Sequence, residues 1–117
     1  MLGATPTQPG RWESPQIPLP ASGVHINVVA SHGRGTVPLN VEWVLVCQQT
    51  DAEYVPGDEI QLLSGYNDTS SPTVWKNATQ IGAVFNAGLA LAHYSKFTVG
   101  NTNLTRTKWA IKAYCLF

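Results

Sequence analysis

From Gly23 onward the chain alternates apolar and polar positions with a period of two, as strands with one buried face require. In Val24–Ala30 the apolar set is Val24, Ile26, Val28 and Ala30. Val41–Gln49 places Val41, Trp43, Leu45 and Cys47 on one face, and Val44 and Val46 share the other with Glu42 and Gln48. Both faces of that segment are partly apolar, which predicts a central strand or one with its outer face covered. Asp58–Leu63, Thr73–Lys76, Gln80–Phe85, Leu89–Tyr94 and Lys96–Val99 read as further strands, and Gly100–Asn103 as a turn. The last segment, Lys108–Phe117, sets Trp109, Ile111, Ala113 and Cys115 opposite Lys108, Lys112 and Tyr114.

The connections carry turn residues. Ser31–Pro38 contains His32, Gly33 and Gly35 and closes on Pro38. Pro56-Gly57 ahead of Asp58 predicts a type II turn, proline setting φ at its second position and glycine taking the positive φ of its third. Gly65–Pro72 is a polar loop, and Asn86-Ala87-Gly88 suits a hairpin. A helix over Ile81–His93 competes, but two glycines and Asn86 disfavour it. Seven or eight short strands with Gly, Pro and Asn turns predict an all-β fold, a single antiparallel β-sandwich or jelly-roll-like domain over 23–117.

Residues 1–22 break the alternation. Five prolines, Pro6, Pro9, Pro15, Pro18 and Pro20, exclude helix and central strand and leave an extended arm. Trp12, Ile17 and Leu19 give it apolar side chains that a solvated linker has no use for. We expect the arm to lie across a neighbouring subunit, a disordered tail being the alternative.

Composition then narrows the function. Of 117 residues 44% are apolar and only 12% charged, about half the ordinary share of charge, so the chain folds and is poorly protected from association. Seven basic and seven acidic residues cancel, without a basic run, which argues against nucleic acid or an anionic membrane as partner. No apolar stretch is long enough to span a bilayer, and the first residues lack the pattern of a secretory signal. A soluble protein made in the cytoplasm is expected, and Asn-x-Thr at Asn67, Asn77 and Asn103 then carries no weight.

Charge is segregated in sequence: Glu42, Asp51, Glu53, Asp58, Glu59 and Asp68 precede Lys76, Lys96, Arg106, Lys108 and Lys112. The two stretches suit either contacts between symmetry mates or pairing within one subunit. The middle carboxylates match no calcium-loop spacing and read as turn residues. His25, His32 and His93 lack ligand spacing or a convergent partner, and His32 is expected to hydrogen-bond a loop backbone. Cys47 and Cys115 read as buried thiols. We expect no enzyme activity, no metal and no cofactor. Trp12, Tyr54, Tyr66, Trp75 and Tyr94 lie in or near loops, where they suit either stacking on sugar rings or local packing, with Trp75 plugging the end of the core.

The ordered series His32-Gly33-x-Gly35-x-x-Pro38, Glu42-Trp43-Val44-Leu45-Val46-Cys47, Tyr54-x-x-Gly57-Asp58-Glu59, Val74-Trp75-x-Asn77-Ala78-Thr79 and Trp109-x-Ile111-x-Ala113-Tyr114 resembles a small β-sandwich module of bacteriophage tail-fibre and related virion structural proteins. The resemblance covers residues 23–117 and rests on the order of the pieces. It implies a homotrimeric or otherwise oligomeric virion component without catalysis, in which the Gly57-Asp58-Glu59 turn is architectural. Its partners would be copies of itself, other tail or capsid proteins and a host-surface glycan, the last through Tyr66, Trp75 and Tyr94. A short arm in place of a long shaft raises the alternative of a capsid decoration, or cement, protein whose arm clamps neighbouring subunits. A free carbohydrate-binding module is the third expectation.

Overall fold

The computed structural model describes residues 10–19, 26–61, 73–85, 92–94, 96–98 and 101–117. Ten strands lie within them: β1 (Arg11–Glu13), β2 (Ile17–Pro18), β3 (Ile26–Ser31), β4 (Asn40–Cys47), β5 (Glu59–Gln61), β6 (Thr73–Lys76), β7 (Gln80–Phe85), β8 (Ala92–Tyr94), β9 (Asn101–Asn103) and β10 (Trp109–Leu116). The larger sheet runs β1-β10-β4-β5, with β2 also paired to β10. A smaller sheet runs β3-β7-β6, and β8-β9 form a two-stranded ribbon. Every pairing is antiparallel. The fold is therefore all-β, two sheets facing across one core as a β-sandwich, and the helical content of the described residues is one 3-10 turn, Arg106–Lys108. No helix among them is long and apolar enough to cross a membrane.

The period-two pattern builds this core directly. The β4–β10 ladder runs from Cys47 opposite Trp109 to Asn40 opposite Leu116. It puts Trp43, Leu45 and Cys47 on the same face as Trp109, Ile111, Ala113 and Cys115, and all seven are buried. Val28 and Ala30 from β3, with Ile81 and Ala83 from β7, close the core from the smaller sheet. Each fully buried large side chain here contributes roughly 1.5–3 kcal/mol relative to exposure.

The outer face of β4 is covered as its apolar pattern required. Tyr114 rises from β10 and its hydroxyl donates to Glu59 Oε2 on β5 at 2.6 Å. Because β4 lies between those strands, the ring crosses the face that carries buried Val44 and Val46. Lys112 adds its stem there, with its ammonium paired to Glu13 and lying 4.8 Å from the centroid of the Tyr114 ring.

Three expectations are corrected. The described part of the arm, residues 10–19, is extended but does not stand apart from the domain: β1 and β2 pair with β10 of the same chain. Trp12 lies opposite Cys115 and Ile17 opposite Ile111, both on the core side, and Leu19 is buried. The chain's own sheet edge thus takes the side chains that were expected on a neighbouring subunit. Prolines are tolerated because the strand is outermost and interrupted: Pro15 falls between β1 and β2.

Residues 96–98 form bends instead of a strand, since their backbone donors are drawn elsewhere: Lys96 N–H donates to Ala52 O at 3.1 Å and Thr98 N–H to Glu53 Oε1 at 2.9 Å. Asn101–Asn103, expected as part of a turn, is strand β9, paired with β8. In the span where a helix competed, residues 80–85 and 92–94 are strands, and the Asn86–Gly88 hairpin lies outside the described residues.

Candidate functional site

The solvent side of the smaller sheet holds the most distinctive arrangement of exposed side chains. Val28, Ala30, Ile81 and Ala83 face the core, so the alternate residues face outward. In one row across this outer side stand Trp75, Gly82 and Val29, brought together by the β6–β7 and β7–β3 registers. A β-carbon at Gly82 would lie 2.2 Å from Cε2, 2.3 Å from Cζ2 and 2.5 Å from Nε1 of Trp75. Three adjacent ring atoms so close to that point mean that the indole lies flat over the Gly82 α-carbon. Only glycine admits it. Trp75 is half-buried by this contact and does not plug the end of the core.

The loop residues singled out in the sequence form a second cluster. His32 is buried and uses both ring nitrogens: Nδ1 accepts from Arg34 N–H at 3.1 Å, and Nε2 lies 3.0 Å from Asn77 O. A carbonyl can only accept, so Nε2 carries the proton and the ring is fixed in one tautomer. Phe117 meets the imidazole edge-on at 4.9 Å, Trp12 at 6.2 Å, and Arg34 lies 5.1 Å from the centroid of the Phe117 ring. Gly33 and Gly35 have positive φ, and Pro38 is fully buried with its carbonyl accepting from Lys76 Nζ at 2.9 Å. The cluster ties arm, carboxy terminus and both sheets together.

A third cluster gathers the middle carboxylates. Asp51 and Tyr54 close a two-residue hairpin through mutual backbone bonds of 3.1 and 2.8 Å, with Ala52 at φ 50° and Glu53 at φ 71°. Such left-handed pairs ordinarily hold Asn or Gly, so the hairpin is strained. Neighbours hold it in place. Asp51 Oδ2 accepts from Thr105 N–H and Trp109 Nε1, and the Glu53 carboxylate accepts from Phe97 N–H, Thr98 N–H and the Thr98 hydroxyl. The bonds from Thr98, chiefly its N–H, hold the Glu53 carboxyl below its usual range. At the neighbouring turn Gly57 has φ 97° and Asp58 N–H donates to Val55 O at 3.0 Å, the type II geometry that Pro56-Gly57 calls for. Lys96 bonds Asp58 at 2.7 Å and, with Val55 N–H, lowers its pKa. Acidic and basic stretches thus meet within one chain at this point. No group of three or more His, Cys, Asp or Glu among the described residues is arranged to hold a metal ion.

Among the remaining candidates, Tyr94 is placed in β8 opposite Asn101, and Tyr66 lies outside the described residues. The Trp75–Gly82 stack and the Asp51–Trp109 bond were not read from the sequence. Both depend on strand register, and a lone strand glycine was the one available signal for the first.

No family model, curated protein or solved structure matches this chain.

Proposed function

We propose that this chain is a non-enzymatic structural protein of a bacteriophage particle, a homotrimer serving as a small tail-fibre or tail-tip component. The observation that carries this reading is an apolar edge. Leu39 is 73% exposed and Leu116 49%, and the two adjoin through a 2.7 Å bond from Leu39 N–H to Leu116 O, with Val37 close by in sequence and 51% exposed. Such an edge on a sparsely charged chain suits burial against another subunit. Side chains with reactive chemistry serve structure instead: the His32 ring is engaged on both nitrogens, and the Cys47 thiol donates to Gln49 O at 3.0 Å.

One observation favours the second reading, a capsid decoration protein. Residues 10–19 line the edge of the larger sheet, with β1 outermost, so the side of β1 turned away from β10 is the one on which a strand of a neighbouring copy would add. Sedimentation velocity of the full chain at micromolar concentration tests assembly. A trimer is expected, dissociating to monomer in a Leu39→Glu, Leu116→Glu double variant that keeps its near-ultraviolet circular dichroism. A monomeric wild type overturns the proposal. Immunogold labelling of particles separates the two forms by placing the chain on tail or head.

A further inference from the structure

The indole of Trp75 spends one ring face on the α-carbon of Gly82 and turns the other away from the sheet. Its surroundings on the outer side follow from the register. One step along the face stand Thr73 on β6 and Asn27 on β3, both opposite Val84. One step the other way stand Gln80 and Ser31, opposite each other. Asn27, Ser31 and Thr73 are exposed, and Gln80 is half-buried. The outward positions of all three strands hold amides, hydroxyls, two valines, a glycine and the indole, and no charged residue.

We propose that this face binds a neutral glycan, with one pyranose ring stacked on Trp75. A pyranose presents an apolar face of C–H bonds that matches a flat aromatic ring, and a rim of hydroxyls that both donate and accept. Neutral amides and hydroxyls do the same, which is what Thr73, Asn27, Gln80 and Ser31 offer on either side of the indole. The ring is already held flat by Gly82, so no side-chain freedom is lost to orient it on binding.

The chemistry disfavours other occupants. A nucleic-acid base also stacks on tryptophan, but its phosphates call for cations beside the platform. The nearest cation in sequence, Lys76, lies on the opposite side of β6 and directs its ammonium to Pro38 O and Leu39 O. An acidic polysaccharide fails for the same reason. An apolar protein partner is better matched by the Leu39–Leu116 edge than by a face on which two valines stand among polar groups. The assignment stands apart from the particle reading, because the site binds a sugar whatever the chain assembles into.

Native affinity electrophoresis tests it, in gels containing galactomannan, laminarin, dextran or hydroxyethyl cellulose, with polygalacturonate as the charged comparison. At least one neutral polysaccharide is expected to retard the wild-type chain. Trp75→Ala should weaken that interaction by about tenfold or more. Gly82→Ala keeps the indole but lifts it off the strand, and should weaken binding as well, in a protein whose circular dichroism is unchanged. Phe97→Ala, which removes an exposed aromatic whose backbone is bonded to Glu53 in the hairpin after β4, should bind as wild type. The proposal is overturned if no neutral polysaccharide retards the chain, if only polygalacturonate does, or if both Trp75→Ala and Gly82→Ala bind as tightly as wild type. None of those outcomes bears on whether the chain forms trimers.

Discussion

Trp109 donates its indole N–H to Asp51 Oδ2 at 3.0 Å, joining residues 58 apart in sequence, and the same oxygen accepts Thr105 N–H at 2.7 Å. One carboxylate therefore satisfies the polar atom of a buried core tryptophan and anchors the hairpin at Ala52-Glu53. Asp51→Ala leaves both donors without an acceptor and is expected to destabilise the fold by about 2–4 kcal/mol, from two bonds to a charged group. Asp51→Asn keeps one acceptor oxygen and should cost about half as much. Urea unfolding at neutral pH reads both. A loss under 0.5 kcal/mol for Asp51→Ala would show that solvent replaces the carboxylate.

The same hairpin makes an unusual prediction for Ala52. At φ 50° a side chain is strained, and the Ala52 methyl only partly packs on the core. Ala52→Gly removes the strain at the cost of that contact, so its stability should match or exceed wild type by up to ~1 kcal/mol. Ala52→Val places a branched β-carbon in the same region and should destabilise by about 1–2 kcal/mol. A thermal melt in which valine is the better residue would show that the turn relaxes out of the left-handed region.

Acid should loosen this corner once pH falls below the ordinary carboxyl values. Glu53 is held below its ordinary value of 4.5 mainly by the Thr98 amide, and Asp58 below 3.8 mainly by its bond to Lys96. Both folded values are depressed, so the unfolded chain takes up protons first as pH falls. The stabilisation is complete above the ordinary values and lost as pH drops through the folded ones. An NMR titration should find both carboxyl midpoints below those of a model peptide, with Phe97 and Thr98 amide shifts following Glu53. Lys96→Met should move the Asp58 midpoint upward and leave Glu53 in place.

Tyr114 covers the outer side of β4, so its ring should matter more than its hydroxyl. Tyr114→Phe loses the bond to Glu59 and should cost under about 1 kcal/mol, whereas Tyr114→Ser uncovers Val44 and Val46 and should cost about 2–4 kcal/mol. Alkali acts on the same group. Burial, then the bond to Glu59, raises the Tyr114 pKa above 10.0; burial opposes a rise at Lys112, but its bonds to Glu13 and Tyr114 lift it above 10.5. Both folded values are raised, so this stabilisation is intact below the ordinary values and lost as pH climbs through the folded ones. Denaturation midpoints from about pH 9 to about pH 12 check the sign, flat below the ordinary values and falling above them, and Tyr114→Phe should flatten the alkaline fall.

Strands whose one face is buried were legible because burial imposes period two: Thr73–Lys76 and Gln80–Phe85 agree with β6 and β7, and β4 and β10 lie within a residue or two of the expected bounds. The type II turn at Pro56-Gly57 was legible because its residues have backbone preferences of their own. The hairpin at Ala52-Glu53 was not, since neither residue favours left-handed geometry and carboxylate bonds from distant segments impose it. The pairing of Trp12 and Ile17 with β10 was hidden for a related reason: prolines mark a segment as extended without saying which edge it joins. Trp75 was visible as an aromatic near a loop, but its place over Gly82 follows from a register that no local pattern encodes.

The two cysteines give a prediction that depends on register alone. Both face the core, Cys47 opposite Trp109 and Cys115 opposite Val41. Trp109 and Cys115 are six positions apart on one strand, so the sulfurs sit roughly 20 Å apart along the ladder, far beyond disulfide reach. Burial raises both thiol pKa values, with Asp58 adding to the rise at Cys47, and the protonated thiol is the unreactive form. The native chain should therefore titrate close to zero thiols with a disulfide-exchange reagent at pH 7.5, and two on unfolding in guanidinium. Air oxidation of the folded protein should leave its mass unchanged. Rapid reaction of either thiol in the native state would place that end of the core in exchange with solvent, and an intramolecular bridge would contradict the β4–β10 register itself.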